Sequence, residues 1–493
     1  MEILNHIKNS ANKYPNKVAL KFKEESITYN ELVKRFDELG ANLSKWLNNF
    51  DYPIGLYIPN HPDFIVGYYS LVKAGKVTHL VDAKWGRAEL SNLIENVHLG
   101  GFLVRTEDVY MFPLLDQVEK QFTNNGLTLL ILEPAILSNE LNVERLNGVI
   151  SCRYSSGTTG TPKCMMYEEK NVLAAARNWS ESINLSHEDI VYCAAYLTHG
   201  LAFNTSILAP LKVGATIVLH SDVTPRHVIN TIKKENPTVF VAFPVLYDLL
   251  TRVNGDYYFP QLRICVSSGT VLHESIKRKF HSKFSIVISD LYGVAETGLS
   301  ILNQSDDYQS VGFPLKNVSV KILDENGDEI PQGSLGEVSI FTESRSKAYY
   351  NFPQLLEKQL SNNYYRTGDI GYLNQEGKLY IKGRKTDVVD VAGKKVDPHE
   401  VENVLRELNG VTDVVAFGAK VSEKDSQILA VALITDGSVT RKDVVNHVKK
   451  TLVSYKIPQI VKFVDSIPRN NNGKVLRREL QSQVSKEYQN GGV

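Results

Sequence analysis

Apolar positions along this chain alternate between helical spacing and short continuous runs. Ile3, Leu4, Ile7 and Ala11 follow a helical period, and VALKF (18–22) and SITY (26–29) read as short strands around a polar turn. Thr28 with Glu31 fits a capping box for a helix whose apolar face is Leu32, Phe36, Leu39, Leu43, Trp46 and Leu47. IGLYIPN (54–60) predicts a buried strand, and PDFIVGYYSLVKAG (62–75) a helix closed by Gly75. The alternation continues through GGFLVRT, LTLLIL and GVISCRY, the helix NVLAAARNWSESI (171–183), and further strand and helix runs as far as SIVISDLYG (285–293). Strands alternating with helices imply parallel pairing, so the expected fold class is α/β with a large N-terminal domain of doubly wound sheets.

After about residue 310 the runs shorten. NVSVKILDENGDEI reads as a hairpin turning at Asn326-Gly327, followed by GEVSIF, which predicts a β-subdomain over about 310–382. From about residue 387 the helices HEVENVLREL and TRKDVVNHVKKTL and the strands DVVAFGAKV, ILAVALIT and QIVKFV predict a small α+β unit. The domains expected are an N-terminal core, 1–385, and a C-terminal domain, 386–493.

A chain of 493 residues exceeds one hydrophobic core, in line with two domains. Its 55 basic and 55 acidic residues balance, which argues against a general nucleic-acid or membrane-surface binder. Four cysteines (Cys152, Cys164, Cys193, Cys265) are too widely spaced for a C-x-x-C metal site and do not suggest a disulfide framework, as expected of a reducing cytoplasm. Residues 1–18 lack the basic start and apolar centre of a signal peptide, and no apolar run approaches a membrane span.

The most one-sided stretch is YSSGTTGTPK (154–163). Gly157 and Gly160 allow close backbone approach, Ser155, Ser156, Thr158, Thr159 and Thr161 supply hydroxyls, and Lys163 supplies a point charge, the parts needed to wrap an oligophosphate. It is not the common G-x-x-x-x-G-K-[ST] loop, and Pro162 keeps it from running directly into a helix. A solvated Ser/Thr/Gly connector is the alternative reading of these residues alone. Further on, YYRTGDIGYL (364–373) sets Asp369 after a β segment, where a carboxylate can accept hydrogen bonds from ribose hydroxyls. GRKTDVVDVAGKKVDPHEVE follows, and PRNNNGKVLRREL (468–480) carries Lys474 on a Gly-containing loop.

Taken together, these stretches resemble the adenylate-forming superfamily: acyl- and aryl-CoA synthetases, adenylation domains of nonribosomal peptide synthetases, and luciferase-like ligases. The resemblance covers nearly the whole chain in the family's order, through YSSGTTGTPK, YGVAETG (292–298), YRTGD, GRKTD and NGKVLRREL. It implies ATP-driven activation of a carboxylate to an acyl-adenylate and pyrophosphate, after which a thiol of CoA or of a carrier protein's phosphopantetheine displaces AMP. Cations and hydrogen-bond donors must then stand where negative charge accumulates.

Carried over by position, the resemblance makes Ser155, Ser156, Gly157, Thr158, Thr159, Gly160, Thr161 and Lys163 the phosphate clamp. Tyr292 and Gly293 meet the adenine, and Ser268, Gly269 and Thr270 form a small-residue turn beside adenine and acid. Glu296 helps bind Mg²⁺, Asp369 holds the ribose and Arg384 reaches ribose or phosphate. Lys474 bridges the substrate carboxylate, the ribose and the α-phosphate, and Thr386 marks the hinge, flanked by Gly383 and Gly393, about which the C-terminal domain turns between half-reactions.

The segment 196–216 resembles the acid-pocket segment of acyl- and aryl-CoA ligases. It places His199, Gly200, Phe203 and, from the strand end beyond it, Phe243 at the substrate; Phe203, Phe243 and Tyr247 could instead simply pack. No acidic residue lies between Tyr196 and Leu211, so an acid without an α-amine is expected, aryl or small to medium acyl.

Three positions depart from the family pattern. Ala295 stands where Thr or Ser is usual, Thr386 where Asp or Lys is usual, and Asp390 where Lys is usual. They leave open a weakly active nucleotide-binding regulatory relative, while a ligase that loads a carrier protein is the near alternative to one that uses CoA. The basic helix KVLRREL reads as a solvated face, or as one that meets the phosphate of CoA or an acidic carrier.

Overall fold

The structure is a computed structural model and describes residues 1–137, 143–155, 163–221, 223–391, 394–419, 427–469 and 475–489. The chain forms two compact units, residues 1–320 with 340–365, and residues 321–339 with 366–493. By contact this division falls at Tyr365/Arg366, ahead of the hinge position expected at Thr386. The short-strand region expected over 310–382 is shared out, because the chain passes between units within strands Val318–Leu323, Gly336–Thr342 and Tyr364–Leu373.

The first unit is built on a nine-stranded and an eight-stranded sheet. Strands Ile190–Cys193, Thr216–Leu219, Val239–Ala242, Ile264–Ser267 and Ile288–Tyr292 pair in parallel in the larger one, with antiparallel strands at its edges. Helix Tyr29–Trp46 starts at the expected capping box, with the Thr28 side chain accepting from the Glu31 amide. Helices Tyr29–Trp46, Pro62–Lys73 and Glu169–Ser182 bury their apolar faces in one core with side chains of both sheets, which holds Phe36, Phe64, Trp179 and Phe203.

YSSGTTGTPK connects two antiparallel strands, Val149–Ser155 and Lys163–Glu168, with Ser155 opposite Lys163. The loop thus enters from one ladder and leaves by the next, as Pro162 suggested. Its residues 156–162 lie outside those described.

The second unit contains the three-stranded sheet Val411–Ala419, Ile428–Thr435, Ile460–Phe463, packed with helices Pro398–Arg406, Arg441–Thr451 and Arg477–Gln489. The Asn326-Gly327 turn forms with Gly327 at φ +90°, but its return arm is a single bridge, Leu323 to Glu329. The Asp324 carboxylate accepts from the Asn326 and Asp328 amides and closes the turn locally. Among the described residues no helix is long and apolar enough to cross a membrane.

Candidate active site

In the first unit, three segments distant in sequence converge on one carboxylate. Strand Ile288–Tyr292 leads into the turn that carries Gly293 to Gly298, and Glu296 stands on it half-buried. The buried Tyr349 donates its hydroxyl to Glu296 Oε1, and the Lys163 ammonium lies 5.4 Å from the Tyr349 ring centroid. Burial first, and then the Glu296 charge, push the Tyr349 phenol far above its ordinary pKa, so it remains a hydrogen-bond donor. Tyr349 therefore joins the lysine at the end of the phosphate loop to the carboxylate expected to bind Mg²⁺. Nothing in the spacing of the motifs marked it out, although AYY (348–350) after a polar run is an aromatic cluster of a kind that commonly anchors a site.

The donor chemistry fits Mg²⁺. Glu296 offers hard carboxylate oxygens, of which Oε1 accepts from Tyr349 while Oε2 has no hydrogen-bond donor among the described residues. The Ala295 side chain is exposed, while its carbonyl accepts from the Tyr167 hydroxyl at 2.9 Å.

Gly293 also serves the turn that carries it. A Cβ there would fall 2.0 Å from the Gly298 carbonyl oxygen, so glycine is required by the turn itself, whatever approaches from outside. Gly269 has φ +95°, and a Cβ on it would lie 3.3 Å from the Phe243 ring. Ser268, Gly269 and Thr270 thus form the turn that ends strand Ile264–Ser267 and lie beside a pocket residue.

The residues expected at the acid lie close together in the first unit. His199 caps the helical run Gly200–Val213, its Nδ1 accepting from the Leu201 amide at 3.2 Å, which leaves the ring proton on Nε2. Phe203–Leu208 within this run is π-helical, a distortion that recurs at functional sites. The His199 ring meets Phe243 edge-on at 5.1 Å. Burial, with the Arg153 charge second, lowers the His199 pKa to about 4, so the imidazole is neutral.

Phe203 is fully buried, edge-on to Tyr68 at 4.9 Å, and Arg153 lies over its ring at 4.6 Å. Tyr247 belongs to the core, its hydroxyl donating to the Val266 carbonyl at 2.9 Å. Arg153 itself escaped the sequence reading. The available signal was a charged residue in the otherwise apolar run GVISCRY.

The ends of the loop rest on a further cluster. Cys152, Cys164 and His79, all buried, hold their ligand atoms within 4.8 Å of one another, and the Tyr154 hydroxyl hydrogen-bonds His79 Nδ1. Sequence spacing separated these cysteines, but the hairpin register unites them. All four cysteines are free.

In the second unit Asp369 and Arg384 are register partners on strands Tyr364–Leu373 and Leu379–Arg384, and Arg384 Nε lies 2.9 Å from Asp369 Oδ1. Asp369 is buried inside its strand, where the sequence placed it beyond the end of one. Gly368, at φ +75°, lets the chain form the local kink before it, and Glu337 holds that kink by accepting from Arg366 Nη2 at 2.6 Å and the Gly368 amide at 3.2 Å. Thr386 is exposed, its hydroxyl donating to Asp387 Oδ1 at 3.2 Å.

Lys474 and Gly393 lie outside the described residues, but the lysine loop's flanks pair as the bridge Arg469 to Val475. Arg477 in KVLRREL is half-buried and donates to Glu402 Oε1 at 2.7 Å, so it is an internal ion-pair partner rather than a solvated charge. Arg478 beside it is exposed.

The AMP-binding enzyme family matches residues 7–350, and the AMP-binding enzyme C-terminal domain matches residues 400–474. The chain belongs to the AMP-binding enzyme family, within the adenylate-forming superfamily. It is 31% identical over 344 residues to a benzoate–CoA ligase from Thauera aromatica, covering 67% of this chain and 65% of that one. A 2-succinylbenzoate–CoA ligase from Bacillus cereus is 26% identical, with 95% and 96% covered. The fold is that of ATP-bound MatB from Rhodopseudomonas palustris, with a TM-score of 0.83 at 20% identity over 98% of this chain and 99% of that one.

Proposed function

We propose that this enzyme uses ATP and Mg²⁺ to activate a carboxylic acid as its acyl-adenylate, releasing pyrophosphate, and then transfers the acyl group to the pantetheine thiol of CoA. The observation that carries this reading is the Lys163–Tyr349–Glu296 arrangement, which brings the end of the phosphate loop and the carboxylate of YGVAETG to one place. Residues 155–161 and Lys163 clamp the departing phosphates, Tyr292 and Gly293 face the adenine, and Ser268, Gly269 and Thr270 border base and acid. Glu296 binds the metal, which screens charge between the two anionic reactants.

Asp369 accepts from the ribose and Arg384 is already poised on it. Lys474 stabilises the α-phosphate end of the transition state, and the chain turns about Thr386 to admit the thiol. The names of the relatives, which are acid–CoA ligases, support CoA as acceptor. The acid is an aryl or acyl acid without an α-amine. No carboxylate lies between Tyr196 and Leu211 to pair an ammonium, and the Arg153 cation close to His199 would repel one.

ATP–pyrophosphate exchange across aryl, fatty, hydroxy and amino acids tests the first half-reaction. Acid-dependent exchange, abolished in Lys474→Ala, is expected. ATP binding with background exchange for every acid would replace this reading with a nucleotide-binding regulator. Mass spectrometry of the product formed with CoA, against that formed with a holo carrier protein, identifies the acceptor.

A further inference from the structure

Near the acid pocket, the charge of Arg153 is left unanswered by its described surroundings. The residue is only 5% exposed, on strand Val149–Ser155, with its guanidinium carbon 4.4 Å from the Tyr167 ring centroid and 4.6 Å from that of Phe203. Nη1 donates to Asn204 Oδ1 at 3.1 Å, while Nε and Nη2 have no hydrogen-bond partner among the described residues. Among those residues no carboxylate pairs with it, and the adjoining loop 156–162 contains no acidic residue. Two aromatic faces and one amide oxygen recover part of the hydration a buried guanidinium loses, but an unpaired buried charge remains costly.

The pair of donors left free is informative. Nε and Nη2 lie on one edge of the guanidinium and form the side-on fork that grips a carboxylate through two parallel bonds. Arg263 uses this same fork elsewhere in the unit, with Nε on Asp189 Oδ1 at 2.9 Å and Nη2 on Oδ2 at 3.0 Å. In Arg153 both donors of the same fork have no acceptor among the described residues. Its location ties it to the acid, since a Cβ on Gly200 would lie 3.8 Å from Nη1 and the Arg153 charge acts on His199. Phe203, also expected at the acid, forms one wall of the guanidinium sandwich.

We propose that the fork formed by Arg153 Nε and Nη2 binds a second carboxylate on the substrate, remote from the carboxyl that reacts with ATP, so that the acid activated here is a dicarboxylic acid. This rests on the acid-activation reading above. The activated carboxyl loses its charge in the adenylate while the remote one keeps it, so Arg153 holds the acyl chain through both half-reactions. Asn204 positions Arg153 through Nη1 and lies against the metal-binding turn, since a Cβ on Gly298 would come 3.7 Å from its Nδ2.

The test compares matched acids that differ only at the remote end, carboxylate against carboxamide against hydrogen, in an aliphatic series and a benzenedicarboxylate series. Exchange kcat/KM and calorimetric affinity are measured with the wild type, Arg153→Met and Arg153→Lys. The wild type is expected to favour a diacid over its neutral partners by at least about 100-fold, since a site built to hydrogen-bond a group rejects analogues lacking it. Arg153→Met should erase that preference while keeping its melting temperature, and Arg153→Lys should retain part of it.

Preference for a neutral acid in both series, or an unchanged preference in Arg153→Met, overturns the proposal. If monoacids support exchange and Arg153→Met matches the wild type, acid activation stands and the diacid site falls. Arg153-dependent diacid binding without exchange has the opposite meaning: the carboxylate fork stands and acid activation falls. A protein that neither binds nor activates any diacid refutes the fork directly.

Discussion

Two buried charges, one in each unit, are treated in opposite ways. Glu402 on helix Pro398–Arg406 receives the Ala416 amide at 2.9 Å and Arg477 Nη2 at 2.7 Å, lies 3.0 Å from His399 Nδ1, and has Arg406 within 3.7 Å. Burial alone would raise its pKa, but the His399 hydrogen bond and charge, with the charges of Arg477 and Arg406, hold it at about 2. Arg153 is buried to a similar degree and has, among the described residues, one amide oxygen and two rings. A surplus of partners marks a charge that holds structure together, here a C-terminal helix against its unit. The deficit at Arg153 is what the proposed substrate carboxylate would fill. Glu296 falls between them: among the described residues Tyr349 donates to its Oε1, and the proposed role in binding Mg²⁺ would use the other oxygen.

The largest expected effect separates the two extremes directly. Glu402→Gln leaves Arg477 and Arg406 without their counter-charge and should destabilise the second unit by about 3–5 kcal/mol. This would be read as lost hydrogen–deuterium exchange protection over 398–406 and 477–489. Without acid present, Arg153→Met should change stability by less than about 1 kcal/mol, because removing an unpaired buried charge offsets the lost ring contacts. Equal losses in the two variants would break the comparison.

Next in size, Tyr349→Phe removes a hydrogen bond to a charged group, a type worth about 1.5–3 kcal/mol, and should lower exchange kcat/KM by about 10- to 100-fold with the fold intact. Raising Mg²⁺ should restore part of the loss if Glu296 is mispositioned rather than removed. An activity equal to wild type would detach Tyr349 from the site.

The smallest effect is in pH. The depressed Glu402 pKa contributes stability that is full above its ordinary 4.5 and is lost as pH falls toward about 2. His399 has its pKa raised, because the Glu402 hydrogen bond and charge outweigh burial, so its contribution is full below 6.5 and lost as pH rises through the folded value. Hydrogen-exchange protection of the second unit should therefore fall on both sides of a mildly acidic optimum, and His399→Gln should remove the alkaline limb and, by taking away the hydrogen bond and charge that depress Glu402, shrink the acidic one.

Much of the fold and of the motif order could be read from local signals. The capping box at Thr28, the apolar runs, and the glycine-rich loop act within a few residues, so spacing reports them. Partners were less legible. Asp369 was singled out in the sequence as a candidate ribose ligand, while the support its strand takes from Glu337 was not legible, because Glu337 comes from a separate strand. Gly293 was assigned to ligand approach, but the carbonyl that forbids a side chain there becomes visible only when the turn closes. Arg477 looked solvated because its acidic partner is far away in the chain.

The sequence by itself determined the α/β order of elements, the glycine-rich loop and the family, since periodicity, turn residues and short motifs are encoded within a few residues of one another. Only the tertiary structure decided which charges are paired. It placed Tyr349 between Lys163 and Glu296, gathered Cys152, Cys164 and His79 under the loop, and left the Arg153 fork without an acceptor among the described residues. The physical reason is that desolvation and ion pairing depend on what surrounds a group in space, and residues far apart in the chain supply those surroundings only once the sheets and helices have packed.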